Sequence, residues 1–253
     1  MSTTLAFFGE FADAVEFIFD ERPSPAGGAD VGGLGEIWEL AREHLQLSLA
    51  AMAVACAVSI PLGLWLGHIG KGGFLAINAS NVGRAVPSLA LIAFFVAYLG
   101  VGFTNLTLAL VLLAIPPILT NAYTGVRQVD RDTVDAARGM GMTGAQIVRR
   151  VEWPLALPLI FGGIRISAVN VVATATIAPL AGVVTLGDPI INVNTYGDEG
   201  RLAAAIVVAL LAVTTEVLLG AAQRAVTPRG LKLEDDGRAP RLAIPIKRRQ
   251  ATT

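Results

Sequence analysis

The chain has 253 residues, of which 54% are hydrophobic and only 15% are charged, and its mean hydropathy is +0.63. This composition excludes an ordinary soluble domain and indicates an integral membrane protein. The net charge of −1 supplies no basic field for a nucleic-acid partner, and the single cysteine, Cys56, excludes an intramolecular disulfide.

Residues 1 to 21 have an amphipathic pattern. Acidic residues recur every three or four positions from Glu10 to Asp20, and apolar residues follow the opposite side of a helix. No basic stretch precedes them, so the segment is a poor signal peptide. We expect an extracytoplasmic helix on the outer surface or against a partner, with disorder as the alternative. The Pro- and Gly-rich composition that follows predicts a flexible linker over residues 22 to 40.

Five apolar segments of the chain are each long enough to cross about 30 Å of hydrocarbon. They are residues 45 to 66, 75 to 98, 105 to 124, 158 to 180 and 202 to 223. The second holds Asn78, Asn81 and Arg84 in its first half, so its span is expected to begin nearer Ala85. The predicted fold class is therefore an all-α membrane protein with about five transmembrane helices, which form a transmembrane domain over residues 41 to 225.

Basic residues predict the orientation of these spans. They concentrate between the third and fourth spans and in the polar tail, residues 226 to 253. Short loops rich in Lys and Arg stay in the cytoplasm. We therefore expect that loop and the C-terminal tail to be cytoplasmic, with the N-terminus outside, and the basic end of the tail to touch anionic membrane lipid.

The basic loop, residues 127 to 157, predicts a helical hairpin. Its first helix begins near Val129, a break follows at residues 139 to 141, and a second helix runs from Thr143 to Trp153, where Pro154 stops it. Apolar residues at helical spacing on the second helix, beginning at Ile147, would suit docking in a groove. Such a hairpin either stiffens the loop or presents a rigid surface to a soluble partner.

The hairpin resembles the EAA loop of ABC importer permeases. That pattern is Glu-Ala-Ala, three residues, Gly, nine residues, Ile, one residue and Leu-Pro. The same spacing holds here for Asp135, Ala136, Ala137, Gly141, Val151, Trp153 and Pro154. Asp for Glu, Val for Ile and Trp for Leu are departures from the pattern. The five-span layout fits the same family, so the resemblance covers about residues 40 to 225.

Four further segments look like the osmoprotectant branch of this family, which imports glycine betaine, choline, carnitine or proline. They are RAVPSLAL at 84 to 91, AARGMGMT at 136 to 143, GIRISAV at 163 to 169 and LGDPI at 186 to 190. The lead into the last segment, AGVVT, departs from the usual Gly-rich sequence. An importer of another small solute, such as an amino acid, remains the alternative.

The resemblance implies a MetI-like fold and a transport subunit rather than an enzyme. A separate cytoplasmic ABC ATPase would bind ATP and Mg²⁺, because GHIGKGG at 67 to 73 lacks the spacing and hydroxyl of a phosphate-binding loop. This chain would itself bind no cofactor. The residues expected to couple to the ATPase are Asp135, Ala136, Ala137, Gly141, Val151 and Pro154.

Two further partners are implied by the same resemblance. An extracytoplasmic substrate-binding protein would deliver the solute, and a second permease subunit, a copy or a paralogue, would complete the path. The complex would lie in a bacterial cytoplasmic membrane, which this chain crosses several times.

Polar residues inside membrane spans are costly, so each suggests a function. The residues predicted to line the translocation pathway are Arg84, Ser88, Asn170, Thr174 and Glu216. Alternatives are that Arg84 sits at the membrane edge, that the hydroxyls bond their own helix, and that Glu216 pairs with Arg165 or Arg84. His44 and His68 are isolated at opposite ends of the first span, so no metal site is expected.

The sequence has two further local features and is compatible with two rival functions. Gly63 and Gly67 would let helices pack closely, although chance explains the pair equally well in so Gly-rich a chain. Residues 186 to 200 indicate an outer loop or re-entrant segment. A membrane enzyme is disfavoured because no metalloprotease motif or nucleophile and base pair is present. An ion-coupled secondary transporter would explain Arg84 and Glu216 but not the charged hairpin.

Overall fold

The computed structural model describes residues 2–74, 78 and 85–227 as a bundle of helices with one β-hairpin. The helices are α1 (Ser2–Phe19), α2 (Gly33–Ile69), α3 (Ser88–Leu99), α4 (Phe103–Arg127), α5 (Arg131–Gly139), α6 (Gly144–Ile147), α7 (Trp153–Thr174), α8 (Asp188–Ile191) and α9 (Val193–Val226). Strands β1 (Glu21–Pro23) and β2 (Asp30–Gly32) pair antiparallel. A π-helical turn, Val148–Glu152, joins α6 to α7, and a 3-10 helix, Ala175–Ala181, extends α7.

Four helical rods of the described chain are long and apolar enough to cross a membrane. They are Gly33–Ile69, Phe103–Arg127, Gly144–Ala181 and Val193–Val226, and they contain the predicted first, third, fourth and fifth spans. Helix α3 has 12 residues, which is about 18 Å of helix. It covers the end of the predicted second span, while Asn81 and Arg84 lie outside the described residues. The all-α fold class is confirmed.

Helix α4 is at the centre of the bundle, between α2 and α7. A β-carbon added to Gly63 would lie 2.6 Å from Ala122 Cβ, and one on Gly67 would lie 2.7 Å from Val126 Cβ. The backbones of α2 and α4 therefore approach as closely as glycine permits. On the other side, a β-carbon on Gly163 of α7 would lie 2.8 Å from the Pro117 carbonyl oxygen. The small-xxx-small pair of the first span thus packs within the chain.

The N-terminal segment is packed against the bundle, so the disordered alternative does not hold. Ala14 and Phe17 of α1 are buried in a cluster with Ile37 of α2 and with Tyr196 and Ala203 of α9. The acidic side of α1 remains exposed. The partner of this amphipathic helix is the chain's own α2 and α9.

The predicted flexible linker, residues 22 to 40, is instead structured. It contains the β-hairpin, and its residues from Gly33 onward belong to α2. Gly27 and Gly28 adopt positive φ angles in the hairpin turn, a conformation that glycine reaches without steric cost. The Ser24 hydroxyl donates a hydrogen bond to the Thr195 carbonyl at 2.8 Å. The glycines therefore form a turn that is fixed to α9, and composition alone does not distinguish such a turn from a tether.

We predict that Gly63→Ala lowers the thermal unfolding midpoint of the detergent-solubilised chain. The added methyl group would overlap Ala122, and overpacking of this kind costs about 1–3 kcal/mol. Gly162→Ala in α7 is the matched control, because no atom lies within 4 Å of the added β-carbon there. Equal unfolding midpoints for the two variants, measured by intrinsic fluorescence, would contradict the packing described for α2 and α4.

Candidate functional site

The charged hairpin between α4 and α7, residues 127 to 157, is here called the coupling loop. Helix α5 begins at its N-cap, Asp130, whose Oδ1 accepts a hydrogen bond from the Asp132 N–H at 2.9 Å. The chain turns at Gly141, which has a φ of +83° and donates its N–H to the Arg138 carbonyl at 2.9 Å. A residue with a β-carbon adopts this left-handed conformation only at a cost. Gly141 is therefore needed for the turn, as its place in the pattern predicts.

The two arms of the coupling loop enclose a small apolar core. It contains buried Val129, Val134, Ala137 and Ile147, with Met142, Val151 and Leu155 partly buried around them. The expectation that Ile147 docks in a partner's groove is therefore wrong, because its side chain is 1% exposed. Of the predicted coupling residues, Ala137 and Val151 hold the loop together from inside.

The outer face of the coupling loop contains three of the other four predicted coupling residues, whereas the fourth, Pro154, lies in α7 and is half-buried. Asp135, Ala136 and Gly141 are exposed, and the neighbouring Met140 is 72% exposed. Asp135 pairs with Arg138 at 3.1 Å, with both side chains largely in solvent, so this ion pair contributes little to stability. The face offers a carboxylate, a methionine and a turn without side chain to any protein that docks on it.

The prediction that Pro154 ends the second helix of the hairpin is wrong. Thr143 caps α6 in a capping box with Gln146, as its N-cap role predicts. The chain then widens into the π-helical turn and continues through Pro154 into α7 without a break. Proline has no N–H, and its ring clashes with the carbonyl four residues earlier in an α-helix. A π-helical turn directly before it changes that spacing and lets one rod run from Gly144 to Ala181.

His68 is not isolated, in contrast to the prediction. Its Nδ1 lies 2.8 Å from Glu152 Oε2 in the π-helical turn, and Glu152 is 1% exposed. His44 is fully buried, with its Nε2 2.9 Å from the Val172 carbonyl oxygen, so it joins α2 to α7. Among the described residues, no group of three or more His, Cys, Asp or Glu could hold a metal ion.

A groove of about 650 Å³ separates α7 from α9 and contains two of the predicted pathway residues. Its lining is mostly apolar and consists of Gly162, Arg165, Ile166, Val169, Asn170, Ala212, Val213, Glu216 and Val217. Arg165 Nε donates to Glu216 Oε1 at 3.1 Å, and its Nη1 donates to Gln223 Oε1 at 2.7 Å. Gln223 Nε2 in turn donates to the Pro158 carbonyl at 2.9 Å. Glu216 therefore has the arginine partner that sequence reasoning offered as an alternative.

Two of the other predicted pathway residues do not line this groove. Ser88 begins α3 and Thr174 ends α7, and neither lines it. The neighbouring Thr176 hydroxyl donates a hydrogen bond to the Ala173 carbonyl at 2.7 Å, three residues earlier in the same helical rod. Arg84 lies outside the described residues. Sequence reasoning did not include Gln223, which only its contacts with Arg165 and Pro158 reveal.

At the end of the bundle opposite the coupling loop, Tyr196 joins α9 to α2 and α8. Its hydroxyl lies 3.1 Å from Glu36 Oε1 at the start of α2 and 3.1 Å from Asp188 Oδ2 of α8. The predicted loop or re-entrant segment, residues 186 to 200, folds back on the end of α7. There a β-carbon on Gly187 would overlap the Thr176 carbonyl oxygen in the 3-10 helix that extends α7, so no larger residue fits.

Comparison with known proteins identifies the family. The family described as "Binding-protein-dependent transport system inner membrane component" matches residues 59–230. The chain belongs to this family. The matched residues include the coupling loop and the groove, whereas α1 and the β-hairpin precede them.

Two curated relatives cover most of the chain. The glycine betaine/carnitine/choline transport system permease protein of Bacillus subtilis (strain 168) is 39% identical over 78% of this chain and 92% of its own length. A carnitine transport permease protein of Listeria monocytogenes is 40% identical over 77% of this chain and 90% of its own length. The resemblance to the osmoprotectant branch is thereby confirmed.

A solved structure supports the fold. A chain of the MetNI methionine ABC transporter in an inward-facing conformation superposes with a TM-score of 0.66 at 21% identity, over 77% of this chain and 98% of that one. The MetI-like fold is confirmed. Together with the family match, it makes this chain the permease subunit of an ABC importer, a transport component and not the ATPase. The membrane enzyme and the secondary transporter are thereby set aside.

We predict that Arg165 and Glu216 depend on one another for stability. Arg165→Gln or Glu216→Gln alone leaves one charge in an apolar groove without its partner, whereas the double variant removes both charges. The thermal unfolding midpoint of the double variant should therefore exceed that of either single variant. Asn170→Ala, an uncharged change in the same groove, is the control. Additive losses in the double variant would contradict the pairing.

Proposed function

We propose that this chain passes a small osmoprotectant, such as glycine betaine, choline, carnitine or proline, through the membrane. The functions of its relatives support this substrate class, since the Bacillus relative is a glycine betaine/carnitine/choline permease and the Listeria relative is a carnitine permease.

The groove between α7 and α9 is our proposed part of the pathway. It is open along one side, and α9 is the least buried of the four long spans. Exposed apolar residues of α9 line the groove at Val213 and Val217 and continue beside it at Leu210 and Leu218. We infer that the second permease subunit covers this face, so that the groove becomes part of an enclosed path between two subunits.

The chemistry of the groove supports weak binding of a quaternary amine. Tight recognition of such a cation uses a cage of aromatic rings, and none of the described residues that line the groove is aromatic. Specificity then resides in the extracytoplasmic substrate-binding protein. Weak contact suits a permease, because a solute that binds tightly inside a passage leaves it slowly.

The charge distribution supports the proposed orientation. Arg138, Arg149 and Arg150 are exposed on the coupling loop, and exposed basic residues favour the cytoplasmic side. At the other end of the bundle, a cleft between α1 and α9 is lined by Glu10, Asp13, Asp198, Glu199 and Arg201. We therefore place the coupling loop in the cytoplasm and the N-terminus outside.

The outer face of the coupling loop is our proposed dock for the ABC ATPase. Asp135, Ala136 and Gly141 are accessible there, whereas Ala137 and Val151 support the loop from within. ATP and Mg²⁺ would bind to that ATPase. The π-helical turn and α7 form one rod with α6, so a displacement of the docked face reaches the groove through a continuous helix.

We predict ATP-dependent uptake of a quaternary amine by proteoliposomes that contain this chain, its ATPase and its binding protein. The measurement compares radiolabelled glycine betaine, choline, proline and methionine. Uptake of methionine alone would contradict the substrate class but not the family.

Variants at Gly141 serve as the coupling controls in the same assay. Gly141→Val should abolish uptake and leave insertion intact, because a β-branched residue is poorly compatible with a φ of +83° while no atom lies within 4 Å of the added β-carbon. Gly141→Asn should retain more uptake, since asparagine tolerates the left-handed conformation better. Uptake by Gly141→Val equal to wild type would contradict the role given to this turn.

A further inference from the structure

A buried polar contact joins the coupling loop to the end of α2. His68 lies in the last turn of α2, and its Nδ1 lies 2.8 Å from Glu152 Oε2, across 84 residues of sequence. The Glu152 side chain is 2% exposed and the His68 side chain 20%. A carboxylate this deeply buried requires a polar partner, and His68 supplies it.

His68 also contacts the beginning of α6. A β-carbon on Gly144, the first residue of that helix, would lie 3.1 Å from His68 Nε2. The imidazole thus occupies the space that glycine leaves free, with Glu152 on its other nitrogen. One ring therefore contacts both ends of the segment from α6 through the π-helical turn.

Helix α2 connects this ring to the far end of the molecule. It is a continuous helix of 37 residues, which corresponds to about 55 Å. Near its N-terminus, Glu36 accepts hydrogen bonds from the Gly32 N–H and the Tyr196 hydroxyl. Gly63 and Gly67 hold it tightly against α4. A shift at His68 therefore moves a long, well-packed element.

We propose that His68 and Glu152 are positioning residues through which movement of the coupling loop is passed to α2. The inference rests on the coupling role proposed above. The loop reaches α7 directly through the chain, and this buried polar contact connects it to α2. The pair makes α2 and α7 respond together when the docked face moves.

The decisive variant is the double change His68→Leu with Glu152→Leu. Replacement of both partners of a buried pair by apolar residues leaves no uncompensated group, so stability is retained. The polar connection is lost. A merely structural role and a positioning role therefore give different results.

The measurement is solute imported per ATP hydrolysed in proteoliposomes with the ATPase and binding protein. We expect the double variant to keep its unfolding midpoint and to co-purify with the ATPase. The ratio of solute imported to ATP hydrolysed should fall on the order of tenfold, the factor that corresponds to the free energy of one hydrogen bond to a charged group. The ratio should fall much less in the Glu152→Gln variant, because glutamine keeps a hydrogen-bond acceptor in a side chain of the same size. A wild-type ratio in the double variant would overturn the proposal.

Gly144→Val keeps the test decisive if the double variant does not insert. Its β-carbon would lie 3.1 Å from His68 Nε2, which is closer than an ordinary contact, so the ring must shift relative to Glu152 while both partners remain. A reduced ratio supports the proposal and a wild-type ratio overturns it. Failure of the wild-type chain to couple with any solute would instead contradict the proposed function, so the two failures are distinguishable.

Discussion

Close approach of helix backbones at glycine is the constraint on which the rest of the structure depends. Gly63 and Gly67 of α2 meet Ala122 and Val126 of α4 at distances that leave no room for a β-carbon, and Gly163 of α7 meets the other side of α4. Within hydrocarbon, apolar area alone does not drive helices together, so tight van der Waals packing carries much of the association. This packing fixes α2, α4 and α7 in register and thereby places His68 beside Glu152.

The polar groups of the bundle lie where they join elements. His44 links α2 to α7 in the interior, Arg165 links α7 to α9, and Tyr196 links α9 to α2 at the end opposite the coupling loop. Each makes at least one polar contact, because an unpaired polar group in an apolar environment is costly. The buried His44 Nδ1 is the exception, since it has no hydrogen-bond partner among the described residues. The coupling loop follows the same rule on a smaller scale, with an apolar core inside and its carboxylate and methionine on the outer face.

Sequence patterns predicted the elements that local chemistry determines. The apolar runs located the long spans. Thr143 was correctly predicted as the N-cap of α6, and Gly141 as the turn residue of the coupling loop. Three expectations failed because tertiary contacts decide them. Pro154 does not end a helix, since a π-helical turn accommodates it. The Gly-rich linker forms a hairpin fixed to Thr195. Ile147 faces inward because α5 covers it. The pairing of His68 with Glu152 spans 84 residues, and no local pattern encodes such a contact.

The most direct test of this account is cysteine cross-linking of the coupling loop to the ATPase. Cys56 is the only cysteine in the sequence, so a Cys56→Ser background allows single cysteines to be placed at neighbouring positions. Ala136→Cys, on the exposed face, should cross-link to the ATPase in the assembled complex, whereas Ala137→Cys, 2% exposed in the wild-type chain, should not. Failure of Ala136→Cys to cross-link, or equal cross-linking at both positions, would contradict the docking face assigned to the loop.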